Sequence, residues 1–112
     1  MRYVLLINLD KTAPPPQEAE LEAILRGHER FEAELADKLV HTERLRLEGA
    51  ASRVRLGAGK RFVTDGPFAE TREVLGGFYV IECDTRDEAV EWAKKIPLRE
   101  DRNVEVRPVW PK

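Results

Sequence analysis

One histidine lies on the apolar side of a helix-patterned segment, and there the sequence comes nearest to chemistry. His28 falls in line with Leu21, Ile24, Leu25, Phe31 and Leu35, which recur at helical spacing from about Gln17 to Asp37. At roughly 100° per residue these positions make one stripe about 120° wide. An imidazole in such a stripe costs desolvation unless it is paired. With a reference pKa of about 6.5, a paired imidazole in an apolar pocket suits general acid–base work at neutral pH. The same placement suits a core histidine held by a backbone carbonyl or a carboxylate, and both readings stand. Glu32, one turn on and about 40° around the helix, is within reach of His28, unless it makes only a surface pair. Asp37 projects to the opposite side.

A second acid, Asp65, opens Asp65-Gly66-Pro67-Phe68. Asp caps backbone amides, Gly takes unusual dihedrals and Pro fixes the exit, so one reading is a turn and nothing more. The other is a functional loop, since loop residues more often carry function than shape. Arg72 is suited to a carboxylate or phosphate, or is a solvated charge. Gly76 and Gly77 let a backbone approach a ligand closely, or form a bulge. With Phe68, these are the ligand-binding candidates. His41 reads as solvent-facing, Tyr79 and Trp92 as core aromatics or as the lining of a pocket, and the single cysteine, Cys83, as an inert small hydrophobe. His28 and His41 do not make a recognised metal spacing, so neither metal nor cofactor is expected. No serine elbow, phosphate loop or dinucleotide fingerprint is present.

These residues need a scaffold. Residues 3–9 are apolar apart from Asn8, as in a strand buried on both faces, and Thr12 to Pro16 ends it. After the helix, Leu45 and Leu47, then Val54 and Leu56, alternate with charged residues and predict half-buried strands. Gly57 to Lys60 is a turn, residues 61–64 a return strand, and residues 69–75 a loop or a single helical turn. Phe78 to Cys83 is again apolar on both faces. Thr85-Arg86-Asp87-Glu88 is a capping box for a second helix with Ala89, Trp92, Ala93 and Ile96 inward. Val104, Val106 and Pro108 mark a last strand. The order is an α+β, ferredoxin-like split βαβ with an antiparallel sheet and both helices on one face. That leaves an apolar sheet face bare in a monomer, which two sheets pairing face to face would cover.

The 112 residues make one domain. A net charge of −2 argues against a nucleic-acid partner and leaves room for a small anionic ligand. One cysteine excludes an intrachain disulfide, and no 18-residue apolar run suggests a membrane span. A cytoplasmic protein is expected.

The run from Val63 through Asp65-Gly66-Pro67-Phe68 and Gly76-Gly77 to Ile81 resembles the signature of the DGPF branch of the YciI-related family. The opening strand, His28 followed by Phe31, Ala89 to Pro97, and Val104 to Pro108 are similar to that family too, so the resemblance covers nearly the whole chain. Residues 37–42 depart from it, lacking a glycine turn after the first helix. The resemblance implies a dimeric α/β barrel in a bacterial protein, sometimes encoded near extracytoplasmic-function sigma factors. It also implies a His and an Asp near a cleft, which here are His28 and Asp65. Three functions follow as expectations: a small enzyme for lactone isomerisation or elimination, a ligand-binding or accessory protein, and an interaction module built on the DGPF loop.

Overall fold

The computed structural model describes residues 1–111. Strand β1 (Arg2–Asp10) leads to helix α1 (Glu18–Leu35), then to β2 (Leu39–Arg44), β3 (Ser52–Gly57), β4 (Lys60–Asp65), β5 (Glu73–Glu82), helix α2 (Arg86–Ala93) and β6 (Arg102–Pro108). The strands form a four-stranded antiparallel sheet in the order β2-β5-β1-β6 and a separate β3–β4 hairpin. Without the hairpin, this is the ferredoxin-like order that the alternation of strand and helix patterns predicts.

Strand parity explains the core. Tyr3 and Leu5 of β1 and Tyr79 and Ile81 of β5 share one sheet face, all at most 4% exposed. Against them pack Phe31 and Leu35 of α1 and Ala89, Ala93 and Ile96 from α2 and the turn after it. Phe31 stands edge-on to both Tyr79 and Trp92, with ring centroids 5.0 and 6.2 Å away, a geometry that adds to area burial. Half of the α2 capping box forms as expected: Thr85 Oγ accepts from the Glu88 backbone N–H, while the Glu88 carboxylate reaches one residue beyond the cap to the Asp84 N–H. The opposite sheet face carries Val4, Leu6, Phe78 and Val80, partly buried and flanked by His41 and Glu43 on one side and Glu105 and Arg107 on the other.

Three local expectations are corrected. The strand expected around Leu45 and Leu47 lies earlier, at Leu39–Arg44, and Leu47 is 64% exposed. The alternation there marks a connecting segment, because hydrogen bonding to β5 is satisfied by residues 39–44. The chain reaches β2 without a glycine because Ala36 adopts φ 51° at the end of α1. Val54 and Leu56 are 61% and 68% exposed, so β3 is not half-buried: its partner is β4, and the hairpin projects as an arm. Its turn places Ala58 and Gly59 at φ 50° and 76°, the two left-handed positions of a two-residue hairpin loop. The arm helps to raise the radius of gyration to 16.1 Å, against about 13 Å for a compact chain of this length. Finally, β5 begins at Glu73, so the expected loop is shorter and Gly76-Gly77 lies inside the strand.

Candidate functional site

Only the C-terminal half of the α1 stripe is fully covered. Phe31 and Leu35 are buried, whereas Leu21, Ile24 and His28 are partly open and Leu25 is 38% exposed. His28 thus sits where the helix leaves the sheet, with one edge inside and one outside. The inner edge meets β5: His28 Nδ1 is 2.7 Å from the Tyr79 hydroxyl, and the two rings stack with planes 9° apart. The same hydroxyl lies 3.2 Å from Glu32 Oε2, to which it donates. A chain of three groups results, His28–Tyr79–Glu32. Two of them lie one turn apart on α1, and the third is delivered by the inward parity of β5.

The proton inventory fixes roles. A phenol has one proton. Since Tyr79 gives it to the Glu32 carboxylate, its oxygen accepts from His28 Nδ1–H. Neutral His28 is then left with a bare acceptor at Nε2, which has no hydrogen-bond partner among the described residues. The electrostatics agree. Burial lowers the His28 pKa; the Glu32 carboxylate opposes that, and the Arg102 and Arg44 guanidiniums push it further down. Burial raises the Tyr79 pKa, helped by the Glu32 charge. Tyr79 therefore holds its proton at neutral pH and His28 stays uncharged. Arg102 also carries a buried Nε without a hydrogen-bond partner, and its charge and that of Arg44 act at His28 against the larger, opposing effect of Glu32.

The other expected residues lie elsewhere in the chain. Asp65 ends β4 at the base of the arm, where its carboxylate accepts from the Ser52 hydroxyl at 2.8 Å. No hydrogen bond or ion pair joins it to His28 among the described residues. Arg72 pairs with Asp10 at 2.9 Å and is largely exposed. Asp10 in turn accepts from the Thr12 hydroxyl and N–H, which with Arg72 hold its carboxyl below the usual range. Phe68 is buried at the foot of the arm, beneath the Arg53 guanidinium at 3.7 Å. Its carbonyl accepts from Lys11 Nζ, which also pairs with Glu48. The Gly66–Pro67 peptide is cis, and a Cβ on Gly66 would fall 2.0 Å from the Glu48 carbonyl oxygen, so only glycine fits. Gly76 is the bulged residue opposite Ile7 and Asn8, packed on Leu9, and Gly77 faces the Glu43 carbonyl. Both are closed in by the protein's own atoms.

Sequence reasoning placed His28 and Glu32 together and favoured the core for Tyr79, where it does lie, but it did not join the Tyr79 hydroxyl to them and passed over Arg44 and Arg102. The signal for Tyr79 was available: it shares strand parity with Ile81, so its ring faces α1. Cys83 is buried, its thiol pKa raised by that burial. His41 is exposed and 3.0 Å from Glu43. Among the described residues, no helix is long and apolar enough to cross a membrane.

The family model of the YCII-related domain matches residues 1–112. A protein of Rhizobium meliloti (strain 1021), described only as uncharacterized, is 48% identical over 61 residues. That alignment takes in 54% of this chain and 49% of the relative, so the match spans about half of that protein's length.

Proposed function

The chain belongs to the YCII-related family, and from that premise we propose that it is a small acid–base enzyme in which His28 moves protons on an anionic organic substrate. The observation that carries this reading is the hydrogen-bonded chain His28–Tyr79–Glu32, which leaves Nε2 as the free basic atom. Nε2 accepts a proton from a carbon beside a carbonyl, and the imidazolium returns it to a different carbon in an isomerisation or to the departing hydroxyl, which leaves as water, in an elimination. The imidazolium so formed is stabilised through Tyr79 by the Glu32 carboxylate. Arg44 and Arg102, whose charges are felt at His28, offset the developing negative charge on substrate. Isomerisation and elimination both use such a base and need no cofactor.

The acting unit in this reading is a cytoplasmic homodimer. Val4, Leu6, Phe78 and Val80 give an apolar strip with charged edges, the pattern of an interface core with a polar rim. Asp65 stands at the base of the arm, bonded to Ser52 and not to His28, and in this reading it acts on His28 across the dimer. A ligand-binding protein without turnover is the competing reading.

The test is deuterium wash-in. Small oxo acids, hydroxy acids and lactones are incubated with protein in deuterated buffer and followed by proton NMR. Exchange at a carbon beside the carbonyl, lost in His28→Ala and weakened in Glu32→Gln, supports the enzyme. Saturable binding of the same compounds with no exchange above buffer supports the binder instead.

A further inference from the structure

The arm carries a second site with different chemistry. Residues 52–65 hold Arg53, Arg55, Lys60 and Arg61 against the single acid Asp65, a net charge of +3 in a chain whose total is −2. On one arm face lies a groove of about 320 Å³ lined by Arg53, Arg55, Phe62, Thr64, Phe68 and Glu70, among others. That volume is at the small end of the range for small-molecule sites.

Its polar groups converge. Arg53 Nη1 donates to Glu70 Oε1 at 2.8 Å, and Arg55 Nη2 stands 3.9 Å from the same oxygen. Arg53 is the better held of the two, because its guanidinium carbon sits 3.7 Å from the ring centre of buried Phe68. That cation–π contact anchors the guanidinium while its N–H donors remain available to a carboxylate. Glu70 itself is 66% exposed on its side chain and hangs from the loop after Phe68. Beside it, Phe62 lays an aromatic wall 48% open to solvent. One exposed carboxylate thus occupies a seat built from two guanidiniums and an aromatic ring.

We propose that this groove is a binding site for a small aromatic monocarboxylate, and that Glu70 is its internal occupant in the free protein. The incoming carboxylate takes the place of the Glu70 carboxylate on Arg53 and Arg55, while its ring packs on Phe62. Displaced Glu70 loses only a surface pair, which is worth little.

Benzoate titrated by calorimetry at fixed ionic strength, with acetate as the control, tests this. Amide NMR shifts on residues 53–70 locate the binding. Benzoate is expected to bind at the arm at least tenfold more tightly than acetate. Glu70→Gln should tighten it about fivefold by removing the competitor, and Arg55→Ala, which leaves Phe68 covered, should weaken it at least tenfold. Binding unchanged or weakened in Glu70→Gln, or equal affinity for acetate, overturns the proposal. His28→Ala should bind benzoate as wild type does, so failure here is distinct from failure of the acid–base reading.

Discussion

The His28 imidazole and the Tyr79 hydroxyl meet at 2.7 Å across 51 positions of sequence, one delivered by a helix and the other by the central strand beneath it. Their rings lie almost parallel, so the contact fixes both the tautomer of the imidazole and its tilt. Glu32 completes the chain from the helix side, 3.2 Å from the phenol.

That arrangement dictates which nitrogen carries the proton. Nitrogen-15 spectra at neutral pH should show His28 as the Nδ1–H tautomer. Glu32→Gln removes the one nearby charge that favours imidazolium, so the His28 pKa should fall further below its ordinary value. A rise in that variant would contradict the assigned chain.

The depressed His28 pKa has a thermodynamic sign. An unfolded histidine titrates near 6.5, and folded His28 below it. Between those two values the unfolded chain binds more protons, so folding stability falls as pH is lowered through the window and levels off beneath it. Urea unfolding of wild type and His28→Gln from pH 7.5 to 5 should give curves that converge on acidification. Parallel curves would mean that His28 titrates normally.

Helix α1 contains a glycine for reasons of contact. A Cβ on Gly27 would lie 2.5 Å from Cγ of Pro97. Gly27→Ala gains about 1 kcal/mol of helix propensity but overpacks the junction by about 1–3 kcal/mol. Chemical denaturation should show a net loss of about 1 kcal/mol. With Pro97→Ala as background the same change should be stabilising, and a loss in both backgrounds would point to something other than this contact.

Ala36 occupies a backbone region, φ 51° and ψ −119°, that side chains rarely adopt. Such a residue costs on the order of 1–3 kcal/mol, and glycine there removes most of that while adding chain entropy. Ala36→Gly should therefore raise the stability of the protein by about 1 kcal/mol in denaturant melts.

Legibility followed the reach of the interactions. Helix α1, the α2 capping box and the doubly apolar central strands were readable because local spacing determines them. The strand at residues 39–44 was not, since its sequence shows no clean alternation and only pairing with β5 selects it. The Val54 and Leu56 alternation was real but pointed to no core, because the hairpin pairs with itself. At the site, His28 stood out as a polar residue in an apolar stripe. Tyr79 looked like packing, and indeed it packs: what sequence hides is that its hydroxyl ends between a histidine and a carboxylate 47–51 positions away. Arg102 belongs to an even more distant strand.

The sheet order sets a timetable for synthesis. Strand β1 is made before either strand it pairs with, its neighbours being residues 73–82 on one side and 102–108 on the other. At ribosomal rates of about 5–20 residues per second, an apolar segment waits roughly 5–20 s before its second partner exists. Nearly all of the sheet's pairing is non-local, a topology that folds slowly. During that interval the β3–β4 hairpin, closed by a two-residue turn, is the one sheet element able to form by itself. The nascent chain therefore leaves Tyr3 to Ile7 an unpaired apolar strand until β5 is made, the kind of segment that chaperones bind.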